Sequence, residues 1–218
     1  MYHYPVQRNT TEKPWTMKVT GTGTVAAAPD QAVIITGVET EDMSLQEAQS
    51  ANSASIQRII DALIRAGIPE SQIQTSEFRI NPVYDFKDGE QVFRGYKVTN
   101  LLKITLYDMT VIGSIIDTAT ANGANIVRGV EFSLQHTDVI YNQALTEALR
   151  QAEQKAQTIA RSLHANLNAI PQSVIENPDT SQPSPFFTAT ALQAAPTPIE
   201  PGQLMIKADV LVSYHYYL

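Results

Sequence analysis

The chain has 218 residues, no cysteine and a formal net charge of −7. Without cysteine there is no disulfide, thiolate metal site or thiol nucleophile, and the redox compartment stays open. Its 15 Lys and Arg residues are scattered through an acidic chain, which argues against nucleic-acid binding, because phosphate recognition needs clustered cations.

A 43% share of hydrophobic residues is enough for a core. This predicts a flexible tail over residues 1–16 and a single domain over 17–218. The opening MYHYPVQRNTTEKPW has no apolar stretch of signal-peptide length, and no run of about 18 apolar residues occurs elsewhere. For a chain that begins at Met1 the expectation is a cytoplasmic protein without a transmembrane segment; an extracytoplasmic location is the alternative if a leader has been removed.

Residues 17–25 and 31–38 read as two strands around the turn-forming Pro29-Asp30. The Gly21-Thr22-Gly23 of the first strand lacks the third glycine and following helix of a dinucleotide fingerprint, so these glycines are expected to relieve crowding or permit a bulge in a strand. Ser44 and Glu47 have capping-box spacing and open a helix whose apolar stripe is Leu45, Ala48, Ile56, Ile59, Ile60, Leu63 and Ile64. Gly67 and Pro69 end it. Glu39, Glu41 and Asp42, just before this helix, complement its dipole better than they make a carboxylate pair for catalysis.

Strands over 73–84 and across FRGYKVTNLLKITLYD then flank the turn Lys87-Asp88-Gly89-Glu90, a hairpin signature. Asn100 interrupts the apolar parity of the second strand, which suggests a bulge or a bond to backbone, with a place in a binding site as the lesser alternative. A short helix over 110–121 stops at Asn122-Gly123 and leads into a strand over 126–134. Arg128 falls among that strand's apolar residues, so its guanidinium must snorkel, pair with a carboxylate, or line an anion-binding cavity.

The longest helix is expected over 138–164, with Leu145, Ala148, Leu149, Ala152, Ala156, Ile159, Ala160 and Leu163 on one side. Six of the 12 prolines then fall within 177–202, a loop with Phe186 and Phe187 at its centre as a candidate docking element. The chain closes on a long alternating strand containing Tyr214 and Tyr216, which at a sheet edge would offer backbone groups to a second subunit. The fold class is α+β: mixed, largely antiparallel sheets with three main helices, and two loosely similar β-α-β halves before the Pro-rich loop and last strand.

No catalytic set is legible. The four histidines share no HxxxH or HxH spacing, so no metal site is expected, and no GxSxG elbow is present. No cofactor is expected either. The ordered phrases VTGTGTVAAAPDQAVIITGVET, IQTSEFRINPVYD, FRGYKVTNLLKITLYD, IIDTATANGANIVRGVEFSL and YNQALTEALRQAEQKAQTIARSL resemble the SIMPL-domain family, which includes bacterial periplasmic immunogenic proteins. That resemblance implies a mixed α/β fold and, for the periplasmic branch, ring-like hollow oligomers; it implies no catalytic residues. The leading expectation is a non-enzymatic, self-assembling protein with a stress- or envelope-related role. The alternatives are a module that binds a protein partner through the 177–202 loop, and a small-ligand binder with a cavity near Arg128.

Overall fold

The computed structural model describes residues 14–177, 184–186 and 197–218. Strands β1 (Trp15–Ala27) and β2 (Gln31–Asp42) are followed by helix α1 (Leu45–Arg65), β3 (Ile73–Lys87), β4 (Glu90–Leu106), α2 (Ile112–Ala121), β5 (Ile126–Ser133) and α3 (Thr137–Ser162). Short strands β6 (Asn166–Leu167), β7 (Ser173–Asn177) and β8 (Ser184–Phe186) precede the long β9 (Gln203–Tyr217). The class is α+β. The described residues form two compact units, one from those up to Ala27 with His136–Ser184 and Leu204–Leu218, the other from Ala28–Gln135 and Pro185–Gln203. Residues 1–13 of the expected tail lie outside the described residues, and β1 takes in its last two positions.

In the first unit, β9 is the centre of the sheet. It pairs antiparallel with β1 along 13 residues, from Trp15 opposite Tyr216 to Ala27 opposite Leu204. On its other side lie β6 and β7. The last strand is therefore not an edge, and β1 holds that position instead. Helix α3 packs on β1 through Ala144, Ala148, Ala152, Ala156 and Ala160, a strict four-residue spacing on one face. Leu149, Ile159 and Leu163, expected on that face, are exposed. Gly21 and Gly23 explain why only alanine fits: an added Cβ at either would lie 1.9 Å from the carbonyl oxygen of Ala148 or Ala144. The glycines and alanines together let helix backbone meet strand backbone.

The second unit is a four-stranded sheet in the order β3-β4-β2-β5, with every adjacent pair antiparallel. Two β-α-β stretches, β2-α1-β3 and β4-α2-β5, thus interleave in one sheet, which is the split β-α-β (ferredoxin-like) arrangement. Its core joins Ala32, Ile34 and Val38 of β2 and Leu102, Ile104 and Leu106 of β4 to Ile56, Ile59 and Leu63 of α1 and to α2. Ser44 caps α1 by accepting from the Glu47 N–H, while the Ser44 N–H goes to Asp42 Oδ1 at 2.8 Å. Asp42 thereby takes the part that a capping box would give to Glu47. Asp88 and Gly89 both have positive φ, 52° and 85°, the backbone of a two-residue type I′ hairpin.

Asn52 of α1 is fully buried, and its Nδ2 donates to the carbonyls of Val38 (3.1 Å) and Val98 (3.0 Å), tying the helix to β2 and β4 at once. The bulges fall at Ser76, Arg94 and Arg128, each of which is skipped by the register of its strand pair. Asn100 stays in regular register opposite Val38 and Phe78, so it marks no bulge, and its buried Oδ1 has no hydrogen-bond partner among the described residues.

Candidate functional site

The features of the second unit that most resemble a site lie on its β3–β4 hairpin. Strand β2 ends opposite Tyr96, so from Val83 through the turn to Gly95 the hairpin continues as two strands alone. A two-stranded ribbon is marginal in water without further contacts. This arm is stiffened by its own side chains. Tyr84 and Phe93 are direct cross-strand partners with ring centroids 5.7 Å apart at 72°, and Phe93 meets Tyr96 at 5.2 Å and 68°. Edge-to-face pairs of this kind stabilise by about 0.5–1.5 kcal/mol each.

Four of the hairpin's aromatic rings are left open to solvent, while Tyr96 is half-buried. Phe86 is 74% exposed, Phe78 52%, Tyr84 48% and Phe93 38%, and Met43 and Leu45 at the start of α1 are exposed as well. Helix α1 lies over β2 and β4, and the hydrophobic core that it builds includes no residue of β3 beyond Ile73. An aromatic row uncovered on this scale is the kind of surface that marks an interaction site.

At the root of the arm the bulged Arg94 forms a clamp. Its Nε and Nη2 donate to the two carboxylate oxygens of Glu41 at 2.5 and 2.8 Å, and Nη1 reaches Asp85 at 3.3 Å. The hydrogen bond from Arg94 holds the Glu41 carboxyl below its ordinary value, and Glu41 in turn raises Arg94. A depressed carboxylate contributes stability above its unfolded pKa and loses it as pH falls through the folded one. Acidification through that window should lower the amide protection factors of the arm, residues 84–93, each taken relative to the intrinsic exchange rate at that pH, and Glu41→Gln should remove that loss of protection. Because the pair is exposed, salt should weaken the effect.

Arg128 belongs to a second ionic group. Its Nη1 donates to Glu77 Oε2 at 2.8 Å, while Arg79 approaches Glu77 Oε1 to 3.3 Å without hydrogen-bond alignment. The Arg128 side chain is 53% exposed and occupied by this carboxylate. Its bulged position takes it out of the alternation that the sequence suggested. Lys97 pairs with Glu39 at 2.9 Å. The clefts of the second unit include one of about 430 Å³ between the end of α1 and the start of α2, which Arg128 does not line.

Tyr214 is buried in the core of the first unit against Met17, Val19 and the alanine stripe, and burial raises its hydroxyl, with Glu153 adding repulsion. Tyr216 is partly buried against the same cluster and pairs with Trp15 and Leu167. Phe186 ends the short strand β8, and Phe187 lies outside the described residues. The structure thus brings Tyr214 and Tyr216 together on one face of β9 and leaves Arg128 in the other unit's sheet. No cluster of three or more His, Cys, Asp or Glu suited to a metal occurs among the described residues, and no helix among them is long and apolar enough to cross a membrane. Sequence reasoning missed the aromatic row. Its signal was the density of Phe and Tyr in SEFRINPVYDFKDGEQVFRGY, which alternation alone assigns to a covered face.

The chain is 27% identical over 215 residues to the 26 kDa periplasmic immunogenic protein of Brucella melitensis, covering 94% of this chain and 86% of that protein. The corresponding Brucella abortus protein matches at the same identity and coverage. The uncharacterized protein YggE of Escherichia coli is 27% identical over 176 residues, 81% of this chain and 71% of YggE. Residues 17–214 match the model of the family described as SIMPL, protein of unknown function (DUF541), and the chain therefore belongs to the SIMPL family.

Proposed function

We propose that this protein is a non-enzymatic, self-assembling protein of the cell envelope that acts outside the cytoplasm. The observation that carries the reading is the uncovered aromatic row Phe78, Tyr84, Phe86 and Phe93 on a projecting hairpin, several of whose charged side chains pair within the chain, through Arg94–Glu41–Asp85 and Lys97–Glu39. A surface that is apolar and locally charge-neutral favours association by burial over recognition of a charged ligand. The extracytoplasmic location is supported by the periplasmic name of the Brucella relatives. Cysteine-free composition is compatible with that compartment.

Light scattering on the purified chain across the micromolar range tests the reading. The wild type is expected to exceed the monomer mass, and Phe78→Glu with Phe86→Glu is expected to weaken association by at least about 10-fold while leaving the unfolding transition intact. A strictly monomeric wild type would overturn self-assembly. Unaltered assembly of the double variant would remove the hairpin from it.

A further inference from the structure

In the second unit, the cleft of about 430 Å³ lies where α1 stops and α2 begins. That volume is within the range of small-molecule sites, about 300–1,000 Å³. Ile68, Leu106 and Ile115, each almost fully buried, give the cleft an apolar floor. Gly67 leaves room beside it, since a Cβ built there would have no atom within 4 Å.

The rim is electronegative. Asp108 is its carboxylate, and among the described residues no Lys, Arg or His lines the cleft. Asp108 Oδ1 accepts from the Thr110 N–H at 2.8 Å and from the Thr110 hydroxyl at 2.6 Å, while Oδ2 has no hydrogen-bond partner among the described residues. Those bonds hold the carboxyl below its ordinary value, so it stays ionised at neutral pH. They also satisfy the Thr110 N–H at the start of the α2 segment. Helix α1 ends at the cleft, and among the described residues the Arg65 and Ala66 carbonyls accept no hydrogen bond. Unpaired carbonyls at a helix C-terminus carry the negative end of its dipole. Tyr107, 51% exposed, adds an aromatic ring whose face attracts cations.

We propose that this cleft binds a small organic cation, an ammonium group on an apolar body, with the ammonium at Asp108 and the body over Ile68, Leu106 and Ile115. A bare metal ion would find one carboxylate where hard cations take several oxygen ligands, and no cluster of three metal-ligating side chains occurs among the described residues. An anion would meet like charge at the rim. A neutral apolar molecule would gain the floor without the carboxylate. None of these residues belongs to the aromatic row of the hairpin, so the site stands or falls apart from self-assembly.

Titration with 2-phenylethylammonium, followed by ligand-observed saturation-transfer NMR on the full chain, tests the proposal. Saturable binding is expected. The neutral 2-phenylethanol should bind about 5-fold more weakly, and 3-phenylpropionate more weakly still. Asp108→Asn keeps an oxygen for the Thr110 N–H, because asparagine caps as well as aspartate. It should weaken the amine about 5-fold and leave the alcohol unchanged. Ser114→Phe, at an exposed position of α2 in the cleft lining, should fill the cleft and abolish binding of the amine. Far-UV circular dichroism establishes that each variant is folded. No saturable binding of the amine, or wild-type binding by a folded Ser114→Phe, overturns the site. Equal affinity for amine and alcohol, or a folded Asp108→Asn that keeps wild-type affinity for the amine, overturns the recognition of charge. Should Asp108→Asn fail to fold, the order of the three probes on the wild type decides.

Discussion

Gly21→Ala is expected to destabilise the unit containing β1 and α3 by about 3 kcal/mol or more. The added Cβ would lie 1.9 Å from the Ala148 carbonyl oxygen, 2.9 Å from its carbon and 2.9 Å from Ala152 Cβ. Two of those atoms are backbone, so no rotamer change relieves the clash. Restoring ordinary contact requires α3 to retreat on the order of 1.5 Å. That retreat would part the helix from the strand along a face whose side chains are all alanine and cannot reach across the gap. Gly67→Ala is the control: φ there is 95° with nothing within 4 Å, so it should cost only backbone strain, about 1 kcal/mol. The sole tryptophan, Trp15, lies in β1, so its fluorescence in a urea titration follows this unit alone. Gly67 belongs to the other unit and its variant is read by far-UV circular dichroism, so a Gly21→Ala midpoint by Trp15 fluorescence no lower than that of the wild type would refute the close-approach account.

The same glycines show how far the sequence could be read. Their role as space-makers was legible, because Pro29-Asp30 and a second strand follow where a phosphate loop needs a helix. The partner they make space for was not, because α3 begins more than a hundred residues later and periodicity reports a face without naming its neighbour. Leu149, Ile159 and Leu163 were therefore placed in a core to which α3 contributes five buried alanines, with Tyr141 and Leu145 partly buried against it. Local signals fared best: Ser44 as a cap, Gly67 and Gly123 as stops, and Asp88-Gly89 as the turn all act within a few residues of themselves. Pairing between distant strands has no such signature. Nothing in the alternation of residues 203–217 distinguishes a central strand from an edge, and only the register with β1 and β7 does so. The bulge at Arg128 likewise exists only relative to β2, and it moves that guanidinium from a predicted apolar row to Glu77. The aromatic row was hidden for a related reason: alternation showed that one face of the hairpin is apolar, but the reach of α1 decides whether that face is covered.

Asn52→Asp should cost the second unit about 4 kcal/mol at neutral pH and far less in acid. The change is nearly isosteric, so packing is kept and only the hydrogen-bond chemistry changes. Asn52 is fully buried, with Nδ2 donating to the Val38 and Val98 carbonyls and Oδ1 already without a partner among the described residues. A carboxylate would bring a second acceptor against those carbonyls and a charge into a fully buried site. Its folded pKa would rise well above the unfolded value of about 3.9. The unfolded chain then loses its proton first, so stability falls with rising pH by up to about 1.4 kcal/mol per unit between the two pKa values, and levels off above the folded one. Below that window the protonated acid can still donate to one carbonyl, leaving a deficit of about 1 kcal/mol for the other. Asn52→Ala should cost about 2 kcal/mol with no such pH dependence, since it removes both donors and adds no titrating group. Far-UV circular dichroism is the readout, because Trp15 belongs to the other unit. An Asn52→Asp penalty as large in acid as at neutral pH would mean that cavity or strain sets the cost, and that the two carbonyls do not depend on Asn52 for their donors.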